Sequence, residues 1–297
     1  NDTFKDLNLT GYSGTITFLN NSAQAMTCYG SFTLSSGCTL VYATGAVFNF
    51  GATSGTKTIT SAGKTLPQVV INGSGGTFQL QDNLSTTAAS TGFSITNGTL
   101  DLNGKTLTVL SGSFAIGAGT KNLTFNGGTV VCASTGSSWN NAAPTGFTTV
   151  AGTAPGKISM TNASAKTFVG GGSVYNCTLD QGGAGALTIS GSNTFNDITN
   201  SYSATGATTI TFTSGTTQTL SQFTATGAVG KVLTLGASTT SQATLTKPSA
   251  WYMGANSTNV SNNTGLTFTA GGGIDYLSVS YINGTVLPST AALLMFF

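Results

Sequence analysis

The chain has no glutamate, no arginine and no histidine. Its acids are seven aspartates and its bases nine lysines. Charged residues are 5% of the 297, against roughly 25% in an average soluble domain. A net charge of +2 is too small a field to draw in nucleic acid or an anionic membrane. General acid–base work would fall to Asp, Lys, Tyr or Cys alone. Cys28, Cys38, Cys132 and Cys177 contain no C-x-x-C, so with no histidine there is no zinc pattern. The G-G-x-G-x-D calcium repeat is missed at 171–172, 182–183 and 271–275, and EF-hand and phosphate-cradling loops are absent. The sequence therefore gives no cofactor, no metal ligands and no catalytic residues. The longest apolar run, AALLMFF at 291–297, is far too short to span a bilayer. No secretory leader follows Asn1, which suggests a mature chain or one assembled in a cytosol and released, as a virus particle is.

What is present is glycine (41 residues), 17 Phe, 8 Tyr and a large stock of Thr, Ser, Asn, Val and Ile. Disordered chains are poor in aromatic and β-branched residues, so low charge here does not mean disorder. Thr and aromatics suit pleated surfaces, and most good helix formers are scarce. The composition predicts an all-β fold whose solvent face is covered by hydroxyls and amides.

Residues 93–132 carry the clearest pattern. Apolar residues two apart recur as Phe93/Ile95, Leu100/Leu102, Leu107/Val109, Phe114/Ile116, Leu123/Phe125 and Val130/Cys132. Each pair lies on one face of a short strand. Asn97-Gly98, Asn103-Gly104, Ser111-Gly112 and Asn126-Gly127-Gly128 separate the pairs as turns. Three such sides make a coil of roughly 21 residues, the repeat length of a solenoid. The expected fold is a parallel β-helix with inward apolar pairs and Gly or Asn corners. The alternatives are an antiparallel sandwich, since Asn-Gly also signals hairpins, or an intertwined trimeric β-prism. Residues 57–83 align without gaps to 166–192, with Lys57/Lys166, Gly73/Gly182 and Phe78/Leu187 among the matches, as expected if the fold grew by duplicating coils.

Residues 1–14 read as an irregular lead-in or attachment segment, and 15–250 as the body. Within the body, 133–156 reads as a longer loop or irregular coil, marked by Trp139, Pro144 and Pro155. Residues 251–297 read as a distinct C-terminal cap or subunit contact. In that segment Leu293, Leu294, Met295, Phe296 and Phe297 either cover the last coil or meet another subunit. Trp139, Trp251 and Tyr252 are candidate glycan or partner contacts, because aromatic faces in irregular segments can stack on sugars. Cys28 and Cys38 are close enough for a disulfide and otherwise read as small buried hydrophobes, as does Cys132. Asp101 is expected to point outward, towards Lys105. Glycoside hydrolysis needs two carboxylates at one cleft, whereas the aspartates here are scattered singly; Asp180 and Asp197 would approach each other if one coil separates them.

The stretches GALTISGSNTFNDIT (185–199), TITFTSGTTQTLSQFTATG (209–227), ANSTNVSNNTGLTFT (255–269) and GTLDLNGKTLTV (98–109) resemble Gly/Thr/Ser/Asn-rich β-solenoid proteins of bacteriophage virions and bacterial surfaces. The resemblance covers most of 57–285 and carries no site residues. It implies a non-enzymatic virion structural protein: a tail fibre, tailspike or capsid decoration on the virion surface. Such a protein commonly assembles as a homotrimer with other virion proteins and touches a host surface glycan. A bacterial extracellular adhesin or surface solenoid is the alternative, and a polysaccharide-degrading spike the third reading.

Overall fold

The computed structural model describes residues 2–18 and 25–225 continuously, with shorter stretches from there to Thr285–Val286. The fold is a parallel β-solenoid of about ten turns in all. Among the described residues the one helical element is the 3₁₀ turn Ser201–Ala204. The chain divides into two compact units, Asn1–Ile158 and Ser159–Phe297.

In the first unit three short strands make each of the early coils. Asp2–Phe4, Leu7–Asn8 and Thr15–Phe18 are followed by Ala25–Cys28, Phe32–Thr33 and Thr39–Tyr42. Pairing is in parallel register from coil to coil, as in Asp2↔Met26 and Leu7↔Phe32. The segment 1–14, expected as an irregular lead-in, thus supplies two sides of the first coil. Its short apolar positions, Phe4 and Leu7, hid the rhythm. Further on, Gln68–Leu80, Leu84–Asp101 and Thr106–Ile116 are long strands that bend round corners, the first and last serving two sides and Leu84–Asp101 three.

Register makes the core. Met26, Phe48, Val69, Phe93, Phe114 and Trp139 are successive partners in one inward column. All six are buried. The rings of Phe93 and Phe114 stack at 5.3 Å, and those of Phe114 and Trp139 at 4.5 Å with planes 3° apart. Burying a side chain of this size contributes about 1.5–3 kcal/mol, and the column repeats that gain once per coil. Residues 133–156, expected as a longer loop or an irregular coil, take the second form, with the strands Gly136–Asn140 and Phe147–Val150 on this same pattern. The extra residues sit in the corners. They lengthen the step from Phe114 to Trp139 without breaking the stack.

The corners confirm the glycine and asparagine reading and correct the hairpin one. Ala62, Asn103 and Asn126 have φ of 52°, 50° and 48°, each followed by a glycine with φ between 71° and 77°. Lys64, Lys105 and Gly128 each donate their N–H to the carbonyl three residues back. These are the two-residue turns that Asn-Gly favours. Here they join strands that pair in parallel with other coils, so no hairpin forms.

In the second unit the coils continue. Phe168, Ile189 and Phe212 form one inward column, and Tyr175, Phe195 and Leu220 another. Parallel pairing extends into the segment expected as a cap: Thr258–Asn259 pairs with Leu233–Ala237, and Leu266–Ala270 with Ala243–Lys247. Later in the same segment, Tyr281–Ile282 and Thr285–Val286 pair antiparallel.

Two corner substitutions test this backbone account by chemical denaturation. A Cβ on Gly98, whose φ is +86°, would lie 2.2 Å from the Gly73 carbonyl oxygen. Gly98→Ala is expected to cost more than about 2 kcal/mol. Ala62→Asn places at the left-handed corner the residue used at 103 and 126, and is expected to stabilise by about 0.5–1 kcal/mol. A stabilising Gly98→Ala would contradict the corner geometry.

Candidate functional site

The side chains with chemistry to offer are mostly consumed in binding one coil to the next. Asp101 is not outward beside Lys105. It is 8% exposed, and its carboxylate accepts from Gln79 Nε2 at 2.9 Å, the Asn103 N–H at 2.8 Å and Asn126 Nδ2 at 2.8 Å. Asn126 Oδ1 in turn accepts from the Thr153 N–H at 2.9 Å. One polar line therefore crosses consecutive coils through residues 79, 101, 126 and 153. Asp82 closes the corner below, accepting from the N–H groups of Ser61 and Ala62 at 2.8 and 2.5 Å.

The densest polar cluster lies in the second unit. Asp180 is 1% exposed and accepts from Ser159 Oγ, Thr199 Oγ1, Ser201 Oγ and the Ser201 N–H, all within 2.8–2.9 Å. Burial pushes its pKa up, but the hydrogen bonds from Ser159, Ser201 and Thr199 outweigh burial and leave it below the usual carboxylate value. Lys166, also 1% exposed, points its ammonium at backbone carbonyls: Gly185 O at 2.5 Å, Asn162 O at 3.1 Å and Gly183 O at 3.5 Å. Burial lowers the amine to about 8, with the Asp180 charge acting in the opposite direction. Gln181 Nε2 donates to the same Gly185 carbonyl at 2.7 Å and to Thr208 Oγ1 at 2.5 Å.

Sequence reasoning missed the buried lysines, although a signal was there. Lys57-Thr-Ile59, Lys121-Asn-Leu123 and Lys166-Thr-Phe168 place a lysine two residues before an inward apolar side chain. The lysine thus shares the inward face. Lys121 and Lys166 follow that rule to full burial, with the aliphatic stem in the core and the ammonium turned to carbonyls.

Asp180 and Asp197 lie on paired strands, but the register sets Thr178 opposite Asp197 and Asp180 opposite Thr199. Asp197 is held by Thr224, through its N–H at 3.0 Å and its hydroxyl at 2.6 Å. Each carboxylate has its own donors, and Asp180 is sealed from any substrate. A catalytic acid or base must reach the proton it moves. The four cysteines are free and buried, so Cys28 and Cys38 take the hydrophobe role. Cys28 Sγ donates to the Gly30 carbonyl at 3.3 Å. Burial raises its pKa to about 11 and those of Cys132 and Cys177 further.

Trp139 is fully buried and stacked on Phe114, so its face is not offered to a sugar. This corrects the glycan-contact expectation for it: an aromatic residue in a segment of prolines and glycines was an inward core residue in a lengthened coil. Trp251, Tyr252 and Leu293, Leu294, Met295, Phe296 and Phe297 lie outside the described residues. Among the described residues no helix is long and apolar enough to cross a membrane. No protein-family profile, curated protein or solved structure matches the chain.

The cluster makes two stability predictions. Asp180→Asn is expected to cost about 2–3 kcal/mol at pH 7, because charge-assisted hydrogen bonds are lost from a buried position. A carboxylate with a depressed folded pKa stabilises above its unfolded value and loses that contribution as pH falls. The gap between parent and variant should therefore close below about pH 4. An amine with a depressed folded pKa binds fewer protons folded than unfolded. Stability therefore rises with pH from about 8 towards the ordinary value of 10.5. Urea midpoints taken from pH 7 to 10 should rise more in the parent than in Lys166→Met, and equal slopes would contradict this assignment.

Proposed function

We propose that the chain is a non-enzymatic structural protein of a bacteriophage virion, a projecting fibre or spike or a capsid decoration that contacts the host surface. It acts as a homotrimer among other virion proteins. The observation that carries the reading is the use of charge. Asp82, Asp101, Asp180 and Asp197 each accept hydrogen bonds from groups one coil away. Lys121 and Lys166 are buried against carbonyls. A chain that spends its ionisable groups on coil-to-coil bonds gains rigidity from them. The outward Thr and Ser then leave a nearly neutral surface suited to permanent display.

The resemblance of residues 98–109, 185–199, 209–227 and 255–269 to virion and surface solenoids points the same way. The test is location: antibodies against the purified chain are expected to label phage particles in a symmetric array, and native mass spectrometry to give a trimer. Labelling of bacterial cell surfaces without particles would move the reading to an adhesin. Turnover of capsular polysaccharide by the purified chain, lost in Asp197→Asn, would overturn the non-enzymatic reading.

A further inference from the structure

One side of the first unit is interrupted. Thr39–Tyr42 pairs with Thr15–Phe18 in a two-stranded sheet separate from the main one. The equivalent strand of the next coil, Thr65–Leu66, pairs with the coil beyond it, at Ser85 and Thr86. No ladder joins Thr39–Tyr42 to Thr65–Leu66. Pro67 supplies a physical cause: it has no N–H to give to the coil below. In place of the ladder, Tyr42 Oη donates to the Thr65 carbonyl at 3.2 Å and crosses the gap as a single bar. The inward pair of this strand, Leu40 and Tyr42, is consequently only half-buried, whereas inward pairs such as Phe93/Ile95 are sealed.

The bar separates two cavities. One, of about 360 Å³, is lined by Tyr42, Thr44, Ala46, Pro67, Gln68 and Ala88 among others. The other, of about 440 Å³, lies between Leu40, Val41, Tyr42, Lys64 and Thr65. Both volumes are within the range of small-molecule sites. The first contains no ionisable group but the Tyr42 phenol. The Gln68 carboxamide and the Thr44 hydroxyl make no hydrogen bond, whereas the Thr87 and Ser111 hydroxyls bond each other at 2.8 Å. Lys64, the one charge in the second cavity, is committed to the Ser36 carbonyl at 2.8 Å.

We infer that this gap is a binding site for a neutral oligosaccharide, laid across the Tyr42 bar with a sugar ring in each cavity. The chemistry fits that class. A tyrosine edge and alanine methyls offer an apolar floor, and a free carboxamide and hydroxyl offer directional partners for sugar hydroxyls. No carboxylate lines either cavity, and the single cation, Lys64, is already bonded to the Ser36 carbonyl, so the partners on offer are mainly neutral. An extended peptide suits the gap less well, because Pro67 removes a ladder donor and the Tyr42–Thr65 bond closes the slot to a strand. The inference rests on the host-contact part of the proposed function and gives it an address.

The test uses the full chain on an array of neutral and acidic bacterial surface polysaccharides. Retention of at least one neutral polysaccharide is expected, and it should survive raised salt, since a neutral ligand leaves no ion pair to screen. Gln68→Ala and Thr44→Ala change side chains that bond to nothing in the fold. Each is expected to weaken binding about tenfold with the unfolding midpoint unchanged. Retention of acidic polysaccharides alone, of none, or with equal strength by both variants would overturn the inference, as would capture of extended peptides in place of glycans. Particle labelling is read separately, so a chain that sits on virions yet binds no neutral glycan refutes this site alone.

Discussion

A single coil of this chain cannot satisfy its own backbone. Its N–H and C=O groups point along the axis, and only the next coil, in parallel register, can meet them. Every other feature follows from that dependence. Because register is fixed, the inward side chains of successive coils fall into columns such as Met26–Phe48–Val69–Phe93–Phe114–Trp139. Polar side chains fall into columns as well, and Asp101 finds Gln79 on one side and Asn126 on the other. The same constraint explains how so little charge suffices. A carboxylate aligned with donors from its neighbours contributes to cohesion where a surface charge would add only solubility.

The coils were legible in the sequence wherever two apolar residues flanked a single outward one and a glycine or asparagine followed. That held throughout residues 93–132, where the strands, corners and the inward Cys132 stand as read. It failed where length varied. The step from Phe114 to Trp139 is longer than that from Phe93 to Phe114, so a core tryptophan looked like a loop residue. The first two sides of the first coil were missed because their strands, Asp2–Phe4 and Leu7–Asn8, are very short. The hairpin signal at Asn103-Gly104 was right about the turn and wrong about the pairing. Turn chemistry is local, whereas strand partners are set by the whole coil.

The polar core was the least legible part. A lysine two residues before an inward phenylalanine reads as a surface charge unless the strand's parity is followed back, and at Lys166 parity won over polarity. Asp101 was expected at the surface because the residues on both sides point inward. The backbone bends into a corner there, and the donors of neighbouring coils close over it. The gap beside Tyr42 could not be read at all, because it depends on which strands fail to pair. Pro67 was its only mark in the sequence. The best-sealed parts of the first unit thus carry structure, and the proposed binding site falls where, among the described residues, Thr39–Tyr42 and Thr65–Leu66 fail to pair.

Amide hydrogen exchange on the intact chain, read peptide by peptide, tests the coil-to-coil dependence most directly. Peptides covering residues 69–71, 93–95 and 114–116 are distant in sequence but share one parallel ladder, and they should exchange slowly and together. Peptides at 39–42 and 65–68, on either side of the gap, should exchange distinctly faster. Uniform exchange across these segments, or protection grouped by neighbouring strands in sequence as in hairpins, would contradict the account.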